Sequence, residues 1–499
     1  MIFFCFGPRQ RVYATADSSY IEGNGSLDSS EVIDIKADQF SDHDQNGILN
    51  LKLTYKDLWA LGLTTAMGGH FFSWSSGLSA GFGSHAIALG IWTVAYYCLV
   101  MCISELSSAL PFAGGVYGLA RVTLGVFPGF LVAVVDSYKP VLNAASAAYA
   151  VGNVITAITD GQKDMQFVTW AVFYAYCLGI NFYGGRTFWW INRVNASITC
   201  LLLFIFIFGT IQFADFNRNA PYPDEAGNAA WFQGGVYEFM RILPSPTRFF
   251  LGIQSINLAC GQIKNPKQEV PRACMGSMST VILTGIAVTF LACSMAPGTA
   301  ALSEIKSPLN PGFAKMLHIA PRDALVVSIP AVLFYGNTYI YFLGQQFSSM
   351  GRSGLLNPAF GAELPYRNTP YIAHIFGAAI GYAVCTAQYF FSSVSPELNS
   401  LKVLASMFTY IAIAVSFIIF RVHYPAIKRE YISPWGIPGA VICIFVSVLN
   451  IISVAGFQDN QHAIIGFAVI ISISSLYYYF VVRHRQVCRC NFFFFFYFC

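Results

Sequence analysis

Hydrophobic residues in this chain fall in long runs with few charges, rather than in the alternating patterns of soluble strands and amphipathic helices. After residue 56 there are twelve such runs, numbered span 1 to span 12, most of them near the 20 or so residues that cross a bilayer as a helix. Their predicted limits are 57–79, 84–107, 127–157, 165–184, 189–212, 247–262, 273–296, 324–349, 370–392, 401–422, 436–457 and 462–482. The pattern predicts an all-α polytopic membrane protein.

Span 1 is interrupted at its centre by the sequence Met67-Gly68-Gly69-His70. Two adjacent glycines weaken a helix by about 1 kcal/mol each relative to alanine, and backbone groups freed in hydrocarbon must find other partners. Discontinuous helices at the midplane form the binding sites of many secondary transporters, but glycines also let neighbouring helices pack closely. Span 1 alone leaves both interpretations open.

Span 6 repeats this pattern, because Gly252, Gln254 and Ser255 place glycine and small polar residues at its middle. It comes five spans after span 1, where an inverted repeat of five helices would place the matching element. Two discontinuous spans in corresponding positions favour a binding site over simple packing.

Composition supports a membrane protein and argues against several other classes. Of the 499 residues, 56% are hydrophobic and 10% are charged, whereas soluble domains contain about 25% charged residues. The net charge of +4 is spread along the loops and does not suggest nucleic acid binding. The 13 cysteines show no metal-ligand spacing, and no loop carries a nucleophile or phosphate-binding motif. We therefore expect no enzyme activity and no cofactor, and a proton gradient, a sodium gradient or exchange stays open as the driving force.

The chain divides into a head, a membrane domain and a tail. We predict a disordered cytosolic segment over 1–56, a permease domain over 57–482 and a short C-terminal tail over 483–499. The permease domain would contain one repeat over 57–212, a second over 247–422 and extra helices over 436–482. Lys and Arg are more numerous in the loops on the side of the termini, so both termini should be cytosolic and the membrane is expected to be the plasma membrane.

Four stretches carry a family resemblance. They are Gly68-Gly69-His-Phe-Phe-Ser-Trp74-Ser-Ser-Gly77-Leu, Ser104-Glu105-Leu-Ser-Ser-Ala-Leu-Pro111-Phe-Ala-Gly114-Gly115-Val-Tyr117, Gln262-Ile-Lys264-Asn265-Pro266-Lys267-Gln-Glu-Val-Pro271-Arg272-Ala, and Gly351-Arg352-Ser-Gly354-Leu-Leu. From about residue 57 to 421, and more weakly to 482, the chain resembles the amino acid–polyamine–organocation permeases. Within them it looks most like the branch of ethanolamine and amino acid permeases.

The resemblance implies a LeuT-type fold of two inverted five-helix repeats plus two helices, and secondary active transport of amino acids or related small amines by alternating access. A broken helix exposes N–H groups on one half and C=O groups on the other, which suit a carboxylate and an ammonium group. The carboxylate is expected near Met67, Gly68, Gly69 and His70. The amine is expected near Leu251, Gly252, Gln254 and Ser255.

The chain departs from the family pattern in its charges. Related permeases often carry acidic residues along span 6, where this chain has Gln254 and Gln262, and residues 194–212 contain no lysine for proton coupling. Asp136 and Lys139 lie three residues apart in span 3 and are candidates for charge handling or coupling, with a buried structural pair as the alternative. Arg248 is expected to snorkel to the interface, and Glu105 to anchor a loop or form a gate.

Two further functions stay open at this point. An ethanolamine or choline carrier would need a carboxylate or an aromatic cage, which Asp136, Phe71 and Trp74 would have to form. A nutrient receptor that binds a small molecule without transporting it is an alternative from another class. The expected partners in every case are a small-molecule substrate and the lipid bilayer, with no nucleic acid.

Overall fold

A computed structural model describes residues 53–112, 114–159, 164–223, 229–364, 367, 369–391, 394–458 and 462–485. The predicted disordered head lies outside these residues except for its last four positions. The predicted C-terminal tail lies outside them from residue 486 onward.

Helical segments follow the predicted order, and most predicted spans are matched by one long helix. The ten long helices are Gly81–Ala109 for span 2, Val126–Ile158 for span 3, Met165–Tyr183 for span 4, Gly185–Thr210 for span 5, Pro266–Cys293 for span 7, Pro321–Arg352 for span 8, Tyr371–Phe390 for span 9, Val394–His423 for span 10, Gly436–Gly456 for span 11 and His462–Tyr477, continued by a π-helical turn Tyr478–Val482, for span 12. Short α-helices in the connections are Gly115–Leu124, Phe216–Asn219, Gly235–Ile242, Thr299–Glu304 and Asn310–Leu317. Short 3-10 turns at Ile211–Phe213 and Pro358–Gly361 and a two-stranded pair, Tyr222–Pro223 with Ala229–Ala230, complete the connections.

Among the residues that the structure describes, eight helical segments are long and apolar enough to cross a membrane. Spans 4 and 9 are continuous helices of 19 and 20 residues, and spans 1 and 6 are discontinuous. The prediction of an all-α polytopic membrane protein is therefore confirmed, whereas its division into two repeats stays a prediction.

Several helices begin earlier than the apolar pattern predicted, because their first turns are polar. Span 7 begins at Pro266 rather than 273, with proline in the first turn, where its missing N–H has no helical partner to lose. Span 10 begins at Val394 rather than 401. Span 1 begins at Tyr55 rather than 57, because Thr54 caps it and donates its backbone N–H to Asp57 Oδ2 at 2.9 Å.

Span 1 is interrupted at the predicted motif, because its regular helix Tyr55–Ala66 ends directly before Met67. The Met67 carbonyl accepts from the His70 N–H at 3.0 Å, and a short helical turn Gly68–Phe71 follows. The chain leaves helical geometry completely at Phe72 and Ser73, the latter with φ of 63°. A 3-10 turn, Ser75–Ala80, then leads directly into span 2. Local packing outweighs the weak helix propensity of the two glycines.

Span 6 is discontinuous as predicted. Its two halves are the 3-10 segments Ser245–Phe249 and Ile253–Gln262, joined through Gly252. Gly252 has φ of 97°, a left-handed conformation that side-chain-bearing residues adopt at a cost. The backbone therefore requires glycine at this joint.

The discontinuous spans lie inside the bundle and are held by longer helices. Span 1 packs against spans 5, 7 and 8, while span 3 lies along span 8 and also contacts span 10. A buried chain of hydrogen bonds connects spans 8, 1 and 5, because Thr338 donates to Thr64 at 3.0 Å and Thr64 donates to Asn192 at 3.0 Å. Spans 1 and 6 thus meet at the centre of a scaffold of continuous helices.

Candidate functional site

A cavity of about 130 Å³ lies where the discontinuous spans 1 and 6 face spans 3, 8 and 10. One ordered water needs about 10–15 Å³ by the same measure, so the space admits a small polar solute. The residues that line it are Gly68, Gly69, Phe72, Ser73, Asn143, Ser146, Ala147, Ala150, Thr247, Arg248, Leu251, Val332, Tyr335, Asn399, Lys402 and Val403. We call this space the central cavity.

Gly68 and Gly69 form one wall of the central cavity because they have no side chains. A Cβ on Gly69 would overlap the carbonyl oxygen of Arg248 in span 6, and a Cβ on Gly68 would overlap the ring of Tyr335 in span 8. The two glycines therefore serve close packing and line the cavity, so both interpretations of the sequence motif describe the same residues.

Two basic side chains line the central cavity, Arg248 from span 6 and Lys402 from span 10. The Arg248 Nη1 donates to the Ser73 carbonyl at 2.7 Å, and the Lys402 Nζ donates to Ser146 Oγ at 2.8 Å. Neither forms an ion pair with a residue that the structure describes, and the cavity lining includes no Asp or Glu among those residues. The central cavity therefore has a positive electrostatic character.

Sequence reasoning missed the role of both basic residues. Arg248 was expected to snorkel, but it is half-buried and lines the cavity. Lys402 stands at the start of an apolar run with no acidic residue in the following turn, and basic residues within spans are usually functional. This sequence pattern could have identified Lys402 as a candidate functional residue.

The structure brings only part of the predicted site together. Gly68, Gly69 and Leu251 line the central cavity. Met67 and Gln254 are buried in the protein interior, and the Ser255 N–H donates to the Gly252 carbonyl at 2.9 Å. These last residues support the cavity from within the bundle rather than face it.

His70 and Gly252 occupy packed positions next to the cavity. His70 is fully buried, with Nε2 3.1 Å from Thr284 Oγ1 of span 7 and its ring edge-on to Phe249. A Cβ on Gly252 would overlap the Thr65 methyl group and lie 2.6 Å from the Tyr339 hydroxyl. Neither residue is part of the cavity lining.

Asp136 and Lys139 form a buried ion pair, with Lys139 Nζ 2.5 Å from Asp136 Oδ1. Lys139 also donates to Thr409 Oγ1 at 3.3 Å and lies 5.6 Å from the centre of the Tyr410 ring, so the pair joins span 3 to span 10. Pro140 has no N–H to donate to the Asp136 carbonyl, so this carbonyl lacks its usual helical hydrogen bond. Asn143, which lines the cavity, lies one helical turn beyond Lys139 on the same face.

The aromatic cage considered for a choline-like substrate is not assembled at the central cavity. Phe71 and Trp74 are fully buried, and the Trp74 Nε1 donates to the His70 carbonyl at 2.8 Å. Neither ring lines the cavity, and the Asp136 carboxylate is paired with Lys139.

Glu105 anchors a loop at the end of span 2. Its fully buried carboxylate accepts from Arg421 at 3.0 and 2.9 Å, from Arg429 at 2.8 Å and from the Ser433 N–H at 2.7 Å. The end of span 10 and the segment that leads to span 11 are thereby fixed to span 2.

Sequence similarity to known proteins identifies the family of this chain. The model of the amino acid permease family matches residues 58–496. The chain belongs to the amino acid permease family. It is 22% identical to an uncharacterized transporter of Rhizobium meliloti over 83% of this chain and 89% of the relative. It is also 24% identical to a methylthioribose transporter (86% of this chain, 93% of the relative) and 22% identical to a branched-chain amino acid permease (79% and 87%), both of Bacillus subtilis.

Family membership and the apolar helices decide the general activity. This permease is an integral membrane protein that transports amino acids or related compounds, and it is not an enzyme. Its partners are a small-molecule substrate and the lipid bilayer. The narrower likeness to ethanolamine permeases stays a prediction.

Proposed function

We propose that this permease is a secondary active transporter that moves its substrate by alternating access through the central cavity. The observation that supports this most is that both discontinuous spans line one cavity, with continuous helices around them. Because a discontinuous span can rearrange at its joint, the two halves of spans 1 and 6 can open and close on either side of a bound molecule.

The proposed substrate orientation follows from the polar groups of the cavity. The substrate carboxylate lies near Gly68, Gly69 and Arg248, because the arginine is the nearest positive group on that wall. The substrate amine lies near Leu251, where span 6 departs from helical geometry and its carbonyl groups lose regular partners. These walls are held in place by Met67, His70, Gly252, Gln254 and Ser255.

We also propose that the transporter acts in the plasma membrane with both termini cytosolic. The excess of Lys and Arg in the loops on the side of the termini supports the proposed orientation. Lys402 lies about two turns into span 10, whose first residue is on the side opposite the termini in this topology. The central cavity would then be reached from outside the cell.

A proton or sodium gradient is the proposed energy source, and Asp136 with Lys139 is the proposed charge-handling pair. The pair is buried, lies one turn from the cavity-lining Asn143 and bridges spans 3 and 10. A rearrangement of span 10 would remove the contacts of Lys139 with Thr409 and Tyr410, which would couple the charge state of the pair to the position of that helix.

The test is uptake of labelled amino acids, ethanolamine and choline into proteoliposomes, with and without an inward proton or sodium gradient. We expect gradient-stimulated uptake of at least one amino acid. Binding without flux of any compound would contradict the proposed transport and favour a receptor.

A Gly69→Leu variant tests, in the same assay, whether the substrate passes between spans 1 and 6. We expect it to reach the membrane but to lose uptake, because its side chain would overlap the Arg248 carbonyl at the cavity wall. Normal flux would show that the substrate does not pass between spans 1 and 6.

A further inference from the structure

We infer that the central cavity selects substrates with two carboxylates, such as acidic amino acids, through Arg248 and Lys402. This inference rests on the proposed transport through that cavity. It concerns which amino acids are carried, which neither the family nor the relatives specify for this chain.

Charge balance in the cavity is the first argument. Arg248 and Lys402 contribute two basic groups, and the described lining residues contribute no carboxylate. Burying a charge without a partner is costly, so a cavity with this lining favours a ligand that brings negative charge. A zwitterionic neutral amino acid brings no net charge, whereas a dicarboxylic amino acid brings one net negative charge.

The placement of the two basic groups is the second argument. Arg248 belongs to span 6 and is tethered to the discontinuity of span 1 through the Ser73 carbonyl. Lys402 belongs to span 10 and is tethered to span 3 through Ser146. Two basic groups held from different pairs of helices suit two separate carboxylates better than a single one.

Neutral polar side chains complete the site. Asn143 of span 3 and Asn399 of span 10 line the cavity beside Lys402, and their amides can donate to a carboxylate. Arginine remains charged in proteins, and an adjacent carboxylate favours the charged form of lysine as well. An amine that carries no carboxylate, such as ethanolamine, meets only like charge among the charged groups of the described lining, so we expect it to be rejected.

The experiment compares uptake of labelled aspartate, glutamate, leucine, lysine and ethanolamine into proteoliposomes that contain the full-length protein. We expect aspartate or glutamate to be taken up best and unlabelled lysine not to compete. In Lys402→Gln, uptake of the acidic amino acid should fall about tenfold or more at low substrate concentration, because a charge-assisted hydrogen bond is lost. Lys402→Arg should retain part of it.

The matched control is Lys315→Gln, which removes an exposed lysine outside the central cavity. It should leave uptake unchanged. Because a variant at Lys402 could fail to fold, thermal unfolding of each purified protein is measured with and without aspartate. Wild type should be stabilised by aspartate, and a folded Lys402→Gln protein should not.

The outcomes separate this inference from the proposed transport. Uptake of leucine or lysine in preference to acidic amino acids, unchanged in Lys402→Gln, would overturn the inference and leave transport standing. Neutral amino acid uptake that requires chloride and is lost in Lys402→Gln would also overturn it, because the anion would then be an inorganic ion. Absence of all uptake would contradict the transport itself.

Discussion

Gly252 carries two constraints in one residue, a left-handed backbone and a packed environment. A Gly252→Ala substitution would place a side chain at φ of 97° and overlap the Thr65 methyl group. We expect a loss of stability of about 1–2 kcal/mol from the backbone and about 1–3 kcal/mol from overpacking. Uptake should fall together with the unfolding temperature of the purified protein.

Two variants isolate these constraints. Thr65→Ser with Gly252→Ala removes the methyl group but not the backbone strain, so it should recover only part of the lost stability. Gly179→Ala in span 4 is the control, since a Cβ there meets no atom within 4 Å. Unchanged stability in Gly252→Ala would show that the joint of span 6 tolerates a different geometry.

The Asp136–Lys139 pair makes a separate prediction about stability. Asp136→Asn leaves the Lys139 ammonium buried without its counter-charge, which should cost about 3–5 kcal/mol. Denaturation in detergent, followed by circular dichroism, measures this loss.

The double variant Asp136→Asn with Lys139→Gln removes both charges and should recover most of that stability. If the pair handles the coupling charge, the double variant should fold yet lose stimulation by the ion gradient. Retained stimulation would assign the pair to structure alone.

At the level of residues, the sequence identified positions of special backbone geometry better than positions of charge. Gly252 was predicted as a joint because it lies with small polar residues at the middle of span 6, five spans after the similar pattern in span 1. Arg248 and Lys402 were missed, because their meaning depends on which helices face one another and on whether a carboxylate lies opposite. Residue type and spacing within one helix do not contain that information.

Among the connecting elements, the segment between spans 10 and 11 depends on a single carboxylate. Glu105→Gln would leave Arg421 and Arg429 without their charged partner and would remove the charged acceptor of the Ser433 N–H. We expect about 3–5 kcal/mol of destabilisation and faster trypsin cleavage after Lys428 or Arg429. Cleavage is followed in membrane vesicles whose outer surface exposes the segment between spans 10 and 11.

Glu304→Gln is the matched control for the anchor, because Glu304 is exposed at the end of a short helix. Its cleavage pattern should equal that of the unaltered protein. Equal trypsin sensitivity in Glu105→Gln and the control would mean that other contacts hold the segment.

Whole elements were predictable because hydropathy reports burial in a bilayer directly. The starts of spans 7 and 10 were missed by seven residues each, since their polar first turns lie beyond the apolar run. The interruption of span 1 was predicted at residues 67–70, and the regular helix ends there, but one further helical turn, Gly68–Phe71, precedes the extended backbone at Phe72. Packing against Arg248 and Tyr335 keeps the glycines helical, and packing partners are not readable from one segment.

For the whole molecule, the central cavity should be accessible from one side of the membrane only. Asn399→Cys in a cysteine-free background should react with a membrane-impermeant thiol reagent applied from the side opposite the termini. Substrate should slow this reaction, because it occupies the same space. Labelling of the protein in sealed cells or vesicles, read by mass spectrometry, measures both effects.

Ala359→Cys is the reference for the side of the termini, since Ala359 is exposed in the connection between spans 8 and 9. It should react only from the side of the termini. Reaction of both cysteines from one side would contradict the predicted topology.

The walls of the central cavity differ in how freely evolution can alter them. A side chain at Gly68 or Gly69 would overlap a neighbouring helix, so neither glycine can be replaced stepwise by larger residues. On the opposite side, Ala150 and Val403 present ordinary side chains that can be enlarged or reduced one methyl group at a time. Substrate range among descendants of this chain should therefore diverge through spans 3 and 10, while the glycine wall stays constant.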